Sequence, residues 1–230
     1  MTALAGVLTR LMEPDKLNRI RLIYRTKKSG TKIENKIHAL ADKETLTPIL
    51  TAIGLELTTG IANLDKLNNV VVEGPSDLYY LESFKRILKE NNLNFIYGGG
   101  AGNMPFVGTI LHGWECKVLY LYDSDQGKKD GERNLKNNWM VTEDLILSVL
   151  DTKGSIEDIF TKDDFKKYVL KDETKNYTET NSQYVKKNKL DKVLMAKLFL
   201  ESIETGKIKL SQSTTDNVTK LFEKLKINFN

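Results

Sequence analysis

A parallel α/β sheet flanked by helices is the fold class this chain predicts, and three observations carry it. Short apolar runs at 70–72, 94–97 and 117–122 alternate with amphipathic stretches of helical period. The runs end abruptly in acid or glycine: Glu73-Gly74, Gly98-Gly99-Gly100 and Asp123-Ser124-Asp125. Strands that alternate with helices need crossover connections, which make neighbouring strands parallel and bring their C-terminal ends to one edge, where sites are usually built.

Before the alternation begins, 19–24 reads as a strand and 27–30 as a polar turn, together a hairpin fragment. A helical pattern covers 45–55, with Pro48 in its first turn and Gly54 near its end, both tolerated positions. The alternation proper is strand at 70–72, a tight turn at Glu73-Gly74, and helix over 76–91. The second strand, 94–97, runs into the glycines from Gly98 to Gly102 and then a helix over 103–114. That glycine run reads as a tight strand-to-helix turn, with close approach of a phosphodiester backbone as the alternative. The third buried strand is 117–122.

Beyond it, 126–138 is a polar loop or solvated helix start, and 143–150 is expected to be helical. Ser155 is placed to cap a short helix through Glu157, Asp158 and Phe160. The polar stretch 174–188, with Lys186, Lys187 and Lys189 clustered around its end, is expected to be a mobile connection. Helices over 190–204 and 214–225 finish the chain.

The net charge of +4 over 230 residues argues only weakly for a polyanionic partner, but its distribution says more. From Phe160 onward there are 15 Lys against 10 Asp or Glu, a net of +5, which leaves −1 for 1–159. Acidic chemistry and basic excess therefore lie in different parts of the chain. The single cysteine, Cys116, excludes an internal disulfide and a thiolate metal cluster, and reads as a small core residue. Every apolar run is short and interrupted by charge, so neither a spanning segment nor a signal peptide is expected, and a cytoplasmic location is the default.

A carboxylate at the end of a buried strand is costly unless a metal or partner compensates it. Here that occurs twice: Glu73 with Asp77 one helical turn on, and Asp123 with Asp125. If the two strands are parallel and adjacent, the four carboxylates meet at one sheet edge. An all-oxygen cluster suits Mg²⁺ or Mn²⁺ better than zinc, and two such ions support in-line displacement at a phosphodiester. Taken singly, each acid is as well explained by a helix cap or a solvated turn. Glu143 and Asp144 are further acids, but they stand at an expected helix start, where the dipole favours them anyway. His112, in an apolar helix, reads as a packed core residue.

VVVEGPSD at 70–77 followed by LYLYDSDQG at 119–127 resembles the Toprim signature shared by topoisomerases, bacterial-type primases and several nucleases. The intervening GGGAGNMPFVGTILHGW and the later IEDIF at 156–160 are similar to segments of the OLD (overcoming lysogenisation defect) family nucleases. The resemblance covers about residue 18 to the C-terminus. It implies a Rossmann-like Toprim core at 67–160 and a helical, lysine-rich C-terminal subdomain at 161–230. Residues 1–66 resemble the tail of an ATPase domain, most clearly at NRIRLIYRTKKSGTKI. It also implies a two-metal DNA endonuclease using Mg²⁺ or Mn²⁺, with a role in phage defence or DNA repair. By motif position, Glu73 resembles the invariant glutamate, Asp77 its second-metal companion, Asp123 and Asp125 the metal-binding pair, and Glu157 and Asp158 further acidic ligands. A catalytic lysine is implied late in the domain; DKVLMAKLF offers Lys192 or, second, Lys197.

One departure is large. No G-x-x-x-x-G-K-[ST] phosphate loop is present, and the glycines at Gly98 lack the lysine and hydroxyl that would hold phosphate and magnesium. The expectation is a C-terminal region or split product, with any ATPase supplied in trans. DNA is the expected partner, contacted by the phosphate-binding lysines between Lys186 and Lys197, and homo-oligomer formation is left open. Two other readings compete: a non-cleaving nucleic-acid-binding or recruitment module, and an RNA-cleaving Toprim enzyme.

Overall fold

The computed structural model describes residues 22–26, 30–34, 68–113, 116–123, 129, 133, 145–206 and 208–229. Strands β1 (Leu22–Thr26) and β2 (Gly30–Glu34) form an antiparallel pair in which Thr26 stands against Gly30, the hairpin expected from the polar turn. The helix expected over 45–55 and the polar stretch 126–138 lie outside the described residues, apart from two isolated positions in the latter.

Among the described residues, the main sheet has four strands, all parallel, in the order β4-β3-β5-β6. Its strands are β3 (Asn68–Val72), β4 (Leu93–Tyr97), β5 (Val118–Tyr122) and β6 (Ile146–Ser148). Helix α1 (Pro75–Leu88) follows β3, and α2 (Met104–Gly113) follows β4. After β6 come a 3-10 turn (Ile156–Ile159), a helical turn α3 (Lys162–Asp164) and the π-helical Phe165–Leu170. Helices α4 (Asn181–Lys187), α5 (Lys192–Glu204) and α6 (Gln212–Ile227) complete the order.

Side chains alternate across a strand, so each strand feeds both faces of the sheet. On one face Val70, Val72, Phe95, Leu119 and Leu121 join Tyr80, Leu81 and Phe84 of α1, Phe199 of α5, and Val218 and Phe222 of α6 in one core. The Phe95 and Phe222 rings meet edge-on at 5.8 Å. On the other face α2 packs close: a Cβ on Gly98 would sit 2.5 Å from Met104 Cγ and 2.9 Å from Val71 Cγ1, and one on Gly108 would strike the Tyr120 ring. Those glycines are steric requirements of the strand-to-helix turn and of the helix-to-sheet contact. Both sheet faces are thus covered, which is why β3 and β5 read as unbroken apolar runs.

Three expectations need correction. The described part of the segment expected to be helical over 143–150 is not an α-helix: Ile146–Ser148 pairs in parallel with Tyr120–Tyr122 as a strand beside β5. Pairing with β5 claims this short Ile-Leu-Ser stretch, and all three residues are buried. The stretch 174–188 is not merely a connection. Thr180 caps α4 by accepting the Gln183 N–H, and Asn181 and Val185 anchor that helix as buried residues. Finally, His112 is exposed rather than packed in the core, although its ring lies 6.3 Å from Tyr120. Cys116 is buried, as expected.

Candidate active site

Glu73 and Asp123 each stand one residue beyond the end of a buried strand, and those strands are neighbours. Val72 aligns with Leu121 in the parallel pairing of β3 and β5, and adjacent strands lie about 4.8 Å apart. The condition that the sequence left open, adjacency of the two acid-ending strands, is met. The Gly98–Gly100 run folds against the same corner: Gly98 N–H donates to the Val72 carbonyl at 2.8 Å and Gly100 N–H to that of Glu73 at 3.0 Å. Gly99 and Gly100 adopt φ of +76° and +94°, which glycine tolerates without strain. The run is the tight turn of the first reading.

Asp77 enters from the first turn of α1. Its Oδ2 accepts the Gly74 N–H at 2.8 Å, a helix-capping bond, and the residue is only 5% exposed. Burial, and then the Asp123 charge, push its carboxyl up to about 8, against the lowering fields of Lys192 and the Gly74 N–H. Glu157, 3% exposed in the 3-10 turn, is pushed up to about 6, chiefly by burial, with Asp123 adding and Lys192 opposing. Acids held partly protonated near neutrality, by burial and by one another, are uncommon outside functional sites.

Lys192 is the first residue of α5, capped by Asp191, whose Oδ1 accepts the Val193 and Leu194 N–H groups. A cation at a helix N-terminus opposes the helix dipole, at a cost of about 0.3–1 kcal/mol. Much of the residue is open to solvent, yet its ammonium is partly desolvated, which alone would lower its pKa. The fields of Asp77, Glu157, Asp123 and Glu73 outweigh that and raise it. This lysine therefore feels four of the carboxylates singled out from the sequence. Lys197 lies five residues further along α5, about 7.5 Å along the axis, and is exposed.

Asp158 has a different position. Its Oδ1 accepts the Ser182 N–H at 2.9 Å, and its Oδ2 accepts the Ser182 hydroxyl at 2.6 Å and the Ser155 N–H at 3.1 Å. It clamps the start of α4 to the 3-10 turn, with both oxygens engaged. Asp125 lies outside the described residues, as do Glu143 and Asp144. Among the described residues, no group of three or more acidic, imidazole or thiol side chains converges as a ready-made metal cage. The donor chemistry present is all-oxygen with one lysine, which suits a hard divalent cation.

Two further residues belong here that sequence reasoning passed over. Tyr80, one turn after Asp77 on α1, is fully buried, and its hydroxyl has no hydrogen-bond partner. Burial and the charges of Glu157 and Asp77 raise its pKa far above the phenol range. Its ring belongs to an aromatic cluster with Phe84, Phe160 and Phe199, where Phe160 and Phe199 meet edge-on at 5.2 Å. Asn181, 3% exposed, donates from Nδ2 to the carbonyls of Glu157 and Phe160, each at 2.9 Å. The sequence signal for Tyr80 was its spacing from Asp77; Asn181 lay in a segment read as loop, where no buried amide is looked for.

No family model matches the chain, and no curated protein matches it. Among the described residues, no helix is long and apolar enough to cross a membrane.

Proposed function

We propose that the acidic edge formed by Glu73, Asp77, Asp123 and Glu157, with Asp125 completing the D-x-D pair, is the centre of a metal-dependent endonuclease of the Toprim type, similar to the OLD family. The observation that carries this reading is that Glu73 and Asp123 follow the ends of two adjacent parallel strands, with Asp77, Glu157 and Lys192 near enough for their charges to act on one another. That C-terminal edge is where α/β sheets bind their ligands. Buried acids that repel one another gain by sharing a divalent cation, and the unpartnered Tyr80 hydroxyl beside them gives a water or ligand oxygen a donor.

Mg²⁺ or Mn²⁺ bound there would supply an activated water and stabilise the leaving oxygen of a phosphodiester. The chain's own residues do the rest. Lys192 offers its charge to the extra negative charge that develops on the phosphate. Asp77 stays fixed to the Gly74 N–H while its carboxyl faces the shared field. Asp158 is left out of the ligand set proposed here, since both its oxygens are used in clamping α4.

DNA is the proposed substrate, with the exposed Lys186, Lys187 and Lys189 available for backbone phosphates. A non-cleaving nucleic-acid-binding module is the second reading, favoured by the incomplete cage among the described residues. Labelled DNA and RNA oligonucleotides incubated with Mn²⁺ separate the alternatives. Metal-dependent DNA fragments that Asp123→Ala abolishes support the endonuclease. Cleavage of RNA alone moves the substrate, and binding without cleavage in any metal favours the second reading.

A further inference from the structure

A second constellation lies beside the acidic edge. Tyr177 and Tyr184 stack with ring centroids 4.2 Å apart and planes 25° from parallel, and both are only half-buried. With Thr178, Lys187 and Asn188 they line a cavity of about 480 Å³ that opens to solvent. Tyr177 is firmly held. Its hydroxyl donates to Asn181 Oδ1 at 2.6 Å, and the Lys162 ammonium stands 5.4 Å from its ring while donating to the carbonyls of Tyr177 and Thr178.

Planar apolar rings next to exposed ammonium groups match the two halves of a nucleotide. The base stacks on the ring, and the phosphate meets the cation. Lys187 is paired with Glu179 at 2.9 Å, but an exposed ion pair of this kind is worth little and exchanges readily for a phosphate. Lys186 and Lys189 are exposed nearby.

The link to the acidic edge is Asn181. Its Oδ1 takes the Tyr177 hydroxyl while its Nδ2 holds the carbonyl of Glu157, whose side chain belongs to the acidic group. Two hydrogen bonds thus separate the tyrosine pair from a candidate ligand.

We propose that the Tyr177–Tyr184 pair is a stacking platform for an unpaired nucleobase of the strand whose phosphate lies at the acidic edge. This rests on the nucleic-acid reading above and deepens it. The preferred substrate carries an unpaired nucleotide beside the scissile phosphate, as in single strands, flaps or frayed ends.

The test uses the full chain carrying Glu73→Ala, in EDTA, with a short single-stranded DNA bearing one 2-aminopurine, the same strand with an abasic site at that position, and the corresponding duplex. The platform predicts that the intact strand quenches on binding and binds roughly tenfold tighter than the abasic strand. Tyr184→Leu removes that difference, whereas Tyr184→Phe keeps it, which separates stacking from misfolding. Equal binding of abasic and intact strands, equal quenching of the duplex, or an unchanged Tyr184→Leu overturns the platform. Displacement by a mononucleotide as effective as by the strand also overturns it, in favour of a free-nucleotide pocket. Base-independent binding together with metal-dependent cleavage by the wild type removes the platform alone. Base-dependent binding without cleavage in any metal leaves the platform standing and removes the nuclease reading.

Discussion

Asn181 is hydrogen-bonded to the backbone of Glu157, its Nδ2 donating to that carbonyl at 2.9 Å, and by this bond the start of α4 holds the 3-10 turn that carries a candidate ligand. The same amide also satisfies Phe160 and Tyr177. Asn181→Ala leaves two buried carbonyls without this donor, and the loss expected in urea unfolding is about 2–6 kcal/mol, from a buried unsatisfied group at about 1–3 kcal/mol each. A loss below about 0.5 kcal/mol would mean that water replaces the amide and that the turn is held elsewhere.

Without metal, stability should fall as pH rises towards 8. The folded-state pKa of Asp77 is pushed up to about 8 and that of Glu157 to about 6, both by burial first. Between the ordinary carboxylate range and those values the folded chain holds protons that the unfolded chain has lost. Deprotonation therefore opposes folding, progressively up to the folded pKa. Lys192, raised from its ordinary value, stays charged throughout that window and adds no slope. Melting temperatures in EDTA across pH 5–8.5 should decline, and Asp77→Asn should flatten the decline. A rise over that range would contradict the electrostatics of the edge.

Metal should reverse that loss. Ligand that binds only the folded state at a hundred times its Kd adds about 2.7 kcal/mol. At pH 8, millimolar Mn²⁺ should raise the Tm of the wild type and leave Asp123→Ala unmoved. Asp123→Ala should also be the more stable protein in EDTA, because it removes a charge that raises both Asp77 and Glu157. Identical melting of both proteins with and without metal would count against cation binding.

Strand ends, glycine turns and the acids at Glu73 and Asp123 were legible because burial on both sheet faces leaves a local mark. Val70–Val72 must be apolar throughout, and Gly98 has no room for a Cβ. The strand Ile146–Ser148 was not legible, since two apolar residues and a serine fit a helix as well and only pairing with β5 decides between them. Nor was α4: its polar composition suits a loop, and its order comes from Asp158 and Asn181 gripping the 3-10 turn. Tyr80 and Asn181 escaped notice because a buried phenol or amide is defined by what surrounds it.

The position of Lys192 depends on α5, which is fixed to α1 and the 3-10 turn by Phe199 and Phe160. Phe160→Ala should cost about 3–5 kcal/mol, as expected for emptying a buried aromatic site. Lys192→Ala should fold normally, yet lower any cleavage rate by about 10²–10³-fold, as for loss of one transition-state donor. Circular dichroism and single-turnover cleavage on the same preparations distinguish the two effects.

The most direct measurement is conversion of supercoiled plasmid by the wild type and by Glu73→Ala in Mg²⁺, Mn²⁺, Ca²⁺ and EDTA. Nicked or linear DNA is expected with Mg²⁺ or Mn²⁺, none with EDTA, and none from Glu73→Ala in any metal. Cleavage that persists in Glu73→Ala, or plasmid bound but left intact by the wild type in every metal, would contradict the endonuclease reading.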